Sequence, residues 1–296
     1  MLLLTGATGQ VGSALLGRLL AEGTPVRCLV RDPRRLGTRR VRVQIALGDL
    51  ADPPSFRNAM RGVDTVVHLA AAIRDQPRGS IEELGGIATW RMVQAAERAG
   101  AERFLFFSAL CASTHSRARF LRAKALAEQA VREAEMRSVV FSPSIVYAPG
   151  DRWLTLLERL ALLPAMPVSG AGRALYQPIW AEDAADCVMA ALRAPDTAGS
   201  FELAGPQTLS HAEIVREVLH ALHRNRPLVH IPTPVVARGL RLLEAAAGTH
   251  AIATWDEAEL MEVSMISTRG CADAEMLGVR PQPMGAALLR QAPTDR

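Results

Sequence analysis

The eight residues Thr5-Gly6-Ala7-Thr8-Gly9-Gln10-Val11-Gly12 constrain this chain more than any other stretch. They follow a short apolar run, Leu2 to Thr5, and open a segment with helical periodicity, Val11 to Ala21. A strand that must turn within three residues into a helix needs a glycine where the turn is tightest, and Gly6 stands there. Gly9 lets backbone approach a pyrophosphate, which is favoured by a helix N-terminus. Gly12 lets the helix pack closely on the strand. Thr8, Gln10 and Val11 complete the turn. A glycine-rich match alone is weak, but this one sits in the strand-to-helix context its mechanism requires.

The rest of the first half alternates. Apolar strands are expected at Pro25 to Val30, Val41 to Leu47, Val63 to Leu69, Arg103 to Ser108 and Ser138 to Ser142. Helices are expected at Ile81 to Ala99 and Arg117 to Ala134. Strands alternating with helices of this length imply crossover units and a parallel sheet. The fold class is therefore α/β, a doubly wound parallel sheet. After Pro149-Gly150 the alternation loosens. Helices are expected at Trp153 to Leu162, Glu182 to Arg193, Ala212 to His223, Val235 to Ala247 and Asp256 to Ser264, with a capping box at Ser210 and Glu213. The division that follows is a nucleotide-binding domain over residues 1–149 and a smaller substrate or partner lobe over 150–296.

Composition narrows the function. Apolar residues make up 49% of the chain, enough for a large core, and the net charge is only +4. Aromatics are 4%, too few to interleave a basic face for nucleic acid, so no nucleic-acid partner is expected. The four cysteines form no C-x-x-C pair, and no metal site is expected. A cytoplasmic setting fits, with peripheral membrane association left open. Val235 to Ala247 is amphipathic, with Arg238 and Arg241 beside its apolar residues. It reads either as a core-facing helix or as a docking face for a protein partner or membrane surface.

One side chain stands apart. Lys124 is the only lysine among 34 Lys and Arg residues. Wherever a surface cation suffices the chain uses arginine. A surviving lysine suggests a site needing a compact ammonium with a tunable pKa. His68, on a buried strand, reads as a satisfied core histidine. Tyr147 and Tyr176 read as packing residues with hydrogen-bonded hydroxyls.

The spacing Gly-x-x-Gly-x-x-Gly resembles the short-chain dehydrogenase/reductase superfamily, in its extended and atypical branches. Further pieces match in order. Gly48-Asp49-Leu50 resembles the adenine-contacting turn, and Ala70 and Ala71 stand where the family's backbone passes the ribose. Ser108 holds the place of the catalytic serine. Phe120 to Lys124 resembles Tyr-x-x-x-Lys with the tyrosine replaced, and Gly85 stands where many members carry a relay asparagine. Pro143, Ser144 and Ile145 resemble the segment beside the nicotinamide. The runs RFLRAKALAEQAVRE, PSIVYAPGDR and GRALYQPIWAEDAAD resemble the branch related to the nucleotide-binding accessory subunit of respiratory complex I, in the wider epimerase/dehydratase family.

The resemblance implies a nicotinamide dinucleotide as cofactor. The second strand ends in Arg31, with Asp32 one position late and Arg34 and Arg35 beyond. Arginine there suits a 2′-phosphate, so NADP(H) is favoured, with NAD(H) as the alternative. Of the catalytic set, Ser108 and Lys124 remain. In the family the tyrosine moves the proton, a contribution of ~10²–10⁴-fold that phenylalanine cannot make. Two readings follow. One is a cofactor-binding protein with a structural, assembly or sensing role. The other is an active oxidoreductase or epimerase-like enzyme with a relocated proton donor, such as water, Ser108, His115 or Tyr147.

Overall fold

The computed structural model describes residues 1–248 and 251–289. Seven parallel strands form the main sheet. They are β1 (Leu2–Thr5), β2 (Val26–Val30), β3 (Gln44–Leu47), β4 (Thr65–His68), β5 (Arg103–Phe107), β6 (Arg137–Pro143) and Gly199–Leu203. Their spatial order from one edge is β3-β2-β1-β4-β5-β6, then Gly199–Leu203. The order reverses beside β1, which opens a crevice at the carboxyl ends of β1 and β4.

Helices cover both faces. On one, α1 (Gln10–Ala21) packs through Leu15, Leu16 and Leu19 against the sheet and against the helix Ala181–Arg193. Arg18 ties these two helices together, donating to Glu182 and Asp186 at 2.6 Å each. On the other face lie α2 (Pro53–Arg57), α3 (Ala88–Arg98) and α4 (Arg119–Arg132), burying Phe56, Met92, Val93 and Val131 under Phe104 and Phe106. The central strands are buried on both faces, as an all-parallel sheet requires.

The strand Gly199–Leu203 is not among the expected elements. Its sequence GSFEL is too short and too exposed to announce itself; pairing with β6 makes it a strand. The strand expected from Val41 begins at Gln44, because 3₁₀ turns fill Pro33–Arg42. The helix expected over Ile81 to Ala99 carries a π-helical turn at Glu83–Ile87, around Gly85 and Gly86.

The stretch after residue 150 supplies that last strand, the helix Ala181–Arg193, and a second apolar cluster built on α5 (Arg152–Leu160) and His211–Ala221. The Ser210–Glu213 capping box forms as expected. The helix Thr233–Ala247 has no buried residue, and Val235 and Leu242 are 58% and 73% exposed. Its Arg241 lies 5.7 Å from the Trp255 ring. Among the described residues no helix is long and apolar enough to cross a membrane, and no cluster of three metal-ligating side chains occurs.

Candidate functional site: a dinucleotide crevice with a buried lysine

The glycine-rich turn takes the shape its spacing demands. Gly6 has φ +73°, and a Cβ there would lie 2.7 Å from the Ala70 nitrogen. A Cβ on Gly12 would lie 2.0 Å from the Gly6 oxygen. The turn is thus wedged between β4 and the start of α1, and no side chain fits at Gly6 or Gly12. Gly9 caps α1 with no side-chain bond, so the first N–H groups of the helix stay open. Gly9 and Gln10 are exposed at this end, Thr8 is half-buried, and Val11 is buried in the core. An uncapped, glycine-lined helix N-terminus fits a pyrophosphate.

A cleft of about 600 Å³ lies off the ends of β2 and β3, lined by Arg31, Gly48, Asp49, Gln76 and Arg78 among others. Arg31 Nη1 donates to Gln76 Oε1 at 2.8 Å, and Arg78 stands 3.6 Å from the Asp49 carboxylate. The structure thus brings Arg31 and Asp49 to one cleft. It adds Arg78, whose place in the loop after β4 no motif marked. Arg35 is exposed on the turn beyond β2 and is not in this lining; Leu50, next to Asp49 in sequence, is half-buried and is not in it either. Asp32 turns its carboxylate back onto its own turn, accepting from the Arg34 nitrogen at 2.9 Å.

Behind the segment that follows β4 runs a buried polar chain. The Ala70 nitrogen donates to Thr5 Oγ1 at 3.3 Å, and Thr5 Oγ1 meets His68 Nδ1 at 2.7 Å. His68 Nε2 meets Thr89 Oγ1 at 3.1 Å, and Thr89 donates to the Gly85 carbonyl. Both ring nitrogens of His68 are satisfied. Burial, aided by the Lys124 ammonium, pushes its pKa down to about 3. His68 is therefore a structural, neutral imidazole that fixes the end of β4, where Ala70 and the exposed Ala71 follow.

Lys124 lies on α4, 4% exposed, and donates to the Phe107 carbonyl at the end of β5. Its ammonium sits 4.7 Å from the Phe106 ring centroid and 5.6 Å from that of Phe120. Burial lowers its pKa to about 7, against a smaller opposing pull from Glu128. Arginine could not be tuned this way. Ser108, the next residue after Phe107, is buried, and its Oγ has no hydrogen-bond partner. A buried hydroxyl without a partner costs ~1–3 kcal/mol, which a ligand atom could recover. Gly85 faces α4: a Cβ on it would lie 3.1 Å from the Ala123 Cβ, so a side chain there would push the π-helical turn and the lysine's helix apart by a few tenths of an ångström.

The segment after β6 is held by backbone bonds. The Pro143 carbonyl accepts from Leu110 at 2.7 Å and the Ile145 carbonyl from Ile179 at 3.0 Å. Ser144 Oγ donates to the Met265 carbonyl at 2.6 Å and accepts from the Gln177 nitrogen at 3.0 Å. Its hydroxyl is engaged in joining three segments. Tyr176 donates to the Met261 carbonyl, as a buried phenol should. Tyr147 departs from expectation: its hydroxyl is buried without a partner, and burial raises its pKa.

Comparison with known proteins agrees with this geometry. Residues 6–152 match a family model described as NAD(P)H-binding. A ceramide reductase of Caulobacter vibrioides is 30% identical over 82% of this chain and 77% of its own length. The mitochondrial NADH dehydrogenase [ubiquinone] 1 alpha subcomplex subunit 9 of Mus musculus is 26% identical over 94% of this chain and 76% of its own. A nucleoside-diphosphate-sugar epimerase of Staphylococcus aureus shares the fold, with a TM-score of 0.78 at 18% identity, covering 97% of this chain and 99% of that one. Glycine-rich turn, strand order and relatives agree: the chain belongs to the NAD(P)H-binding short-chain dehydrogenase/reductase superfamily, in the atypical branch related to the nucleotide-binding accessory subunit of respiratory complex I.

Proposed function

We propose that this chain binds NADP(H) and uses it in a structural, assembly or sensing role, without carbonyl turnover of its own. The observation that carries the reading is the seat of Lys124, a buried ammonium flanked by the rings of Phe106 and Phe120. A bound nicotinamide supplies or accepts hydride; the matching proton needs a titratable group, and Phe120 offers none. Lys124 would then serve the nicotinamide ribose, with Ser108 Oγ as a second polar contact. The open N-terminus of α1, with Gly6, Gly9 and Gly12, would take the pyrophosphate, and Asp49 the adenine.

Arg31 supports NADP(H) over NAD(H). It is the cation at the end of β2 that reaches the cleft, while the Asp32 carboxylate is committed to its own turn. The complex I relative and the exposed helix Thr233–Ala247 favour a protein partner at that helix. A second reading keeps the chain catalytic. The ceramide reductase relative brings a reductase reaction into view, and the unpartnered Ser108 hydroxyl is a polar group at the right strand end.

Two measurements on the purified chain test the cofactor preference and separate these readings. Arg31→Ala should weaken NADPH binding by at least tenfold while leaving NADH binding nearly unchanged; equal losses would remove Arg31 from 2′-phosphate recognition. NADPH oxidation against a panel of carbonyl compounds should be absent in the wild type. Weak activity should arise in Phe120→Tyr, whose new phenol would sit near the ammonium and have its pKa lowered by it. Robust wild-type turnover would sink the non-catalytic reading and point to a relocated donor.

A further inference from the structure

A second cleft, of about 680 Å³, shares no lining residue with the first. The helix His211–Ala221 contributes Arg216 and His220, the turn after it Arg224, Asn225 and Arg226, and the strand Leu228–Ile231 contributes His230. Its volume lies in the range of small-ligand sites. The lining holds three guanidinium groups, two imidazoles and no carboxylate.

Among the described residues no carboxylate forms an ion pair with these guanidinium groups. On the helix, Glu213 closes the capping box with Ser210 and feels Arg216 only through space, and the Glu217 carboxylate lies beside Gly285. Glu262, on a neighbouring segment, accepts from Thr233 Oγ1 at 2.6 Å. Among the described residues Arg216, Arg224 and Arg226 make no salt bridge, whereas Arg18, Arg74, Arg119 and Arg193 are all paired.

The cluster is also held in place. Arg224 Nη1 and Arg226 Nε both donate to the Ala161 carbonyl, at 3.3 and 3.4 Å. One carbonyl thus anchors two guanidinium groups and leaves most of their N–H donors free. His230 is held by the Gly170 carbonyl at 3.1 Å. Like charges gathered in one cleft repel one another, and an anion relieves that repulsion. The guanidinium fork matches phosphate oxygens two at a time. The same cleft has an apolar wall of Leu219 and Leu228, and Leu162, next in sequence to Ala161, is 63% exposed.

We propose that this cleft binds a phosphate monoester with an apolar or glycerol-like organic group. The shared chemistry covers a soluble phosphomonoester and the headgroup of a monoester lipid. The site is independent of the dinucleotide crevice, and its test does not require the nucleotide reading to hold.

The experiment uses the full chain as wild type, Arg224→Gln/Arg226→Gln, Arg216→Gln and Arg31→Ala. Calorimetric titration with glycerol 3-phosphate reads the soluble source. Co-sedimentation with phosphatidylcholine vesicles containing phosphatidic acid reads the lipid source, with phosphatidylglycerol vesicles of equal charge as the diester control. Binding to at least one monoester probe should weaken tenfold or more in the double variant and in Arg216→Gln, and persist in Arg31→Ala. Binding by glycerol 3-phosphate names the soluble source, and binding by phosphatidic acid vesicles alone names the lipid. No binding to either probe overturns the proposal. So does loss in Arg31→Ala with retention in the double variant, or equal sedimentation with phosphatidylglycerol. Arg216→Gln keeps the test open should the double variant fail to fold.

Discussion

His68 is enclosed by Thr5, Thr89 and the Phe106 ring, which stacks 5.9 Å from it. The ordinary imidazole value of 6.5 falls to about 3, from burial first and the Lys124 charge second. Below pH 6.5 the unfolded chain takes up a proton that the folded chain refuses. The stability contributed by His68 is therefore present above pH 6.5 and lost as the pH falls toward 3. Lys124 acts with the same sign in another window. Its folded value of about 7 lies below the ordinary 10.5, so the cost of burying its charge is full below pH 7 and fades as the pH rises to 10.5. Urea unfolding from pH 4 to pH 10 should show both. His68→Gln should flatten the acid limb, and Lys124→Met should stabilise most below pH 7. A variant whose pH profile parallels the wild type would show that its side chain does not titrate differently in the two states.

At the scale of elements, the turn from β1 to α1 does the most. Gly12 lets the helix backbone rest on the Gly6 carbonyl, where a methyl group would lie 2.0 Å away. No flexible side chain can yield there; backbone must move. Gly12→Ala should cost on the order of 2 kcal/mol by overpacking and displace the N–H groups of α1 from the pyrophosphate position. Thermal unfolding and NADPH titration should fall together. Loss of stability with intact nucleotide affinity would separate the helix seat from the binding site. The π-helical turn at Glu83–Ile87 is a comparable device: Gly85 and Gly86 bring it against Ala123 and Leu126, beside Lys124.

Across the whole molecule, arginines join the parallel sheet's loops to the segment after residue 250. Arg74, 8% exposed, pairs with Glu257 at 2.7 Å and donates to the Ala251 carbonyl at 2.9 Å. Arg119, at the start of α4, holds Asp75, Glu82 and Asp256 together. Removing one partner of a desolvated pair leaves the other charge stranded. Arg74→Met should therefore cost on the order of 3 kcal/mol, read as a lower urea midpoint. The double variant Arg74→Met/Glu257→Gln should recover much of that loss, because no charge is then left buried and the glutamine still accepts from the Thr254 nitrogen in the capping box. Failure to recover would mean that Arg74 acts mainly through the Ala251 carbonyl.

Much of this was legible in the residues. Local chemistry set the glycine-rich turn, the alternation of strands and helices and the Ser210 capping box, because each depends on neighbours within about a turn of chain. The buried strand around His68 announced a satisfied imidazole, though not its partners Thr5 and Thr89, which are distant in sequence. Only the tertiary structure decided the rest. It made a strand of Gly199–Leu203 by pairing it with β6, brought Arg78 to the cleft of Arg31, and left Arg35 outside it. It also gathered Arg216, His220, Arg224, Arg226 and His230 around one cavity. Periodicity shows which face of an element is apolar, whereas the meeting of charges from separate elements depends on where the chain returns.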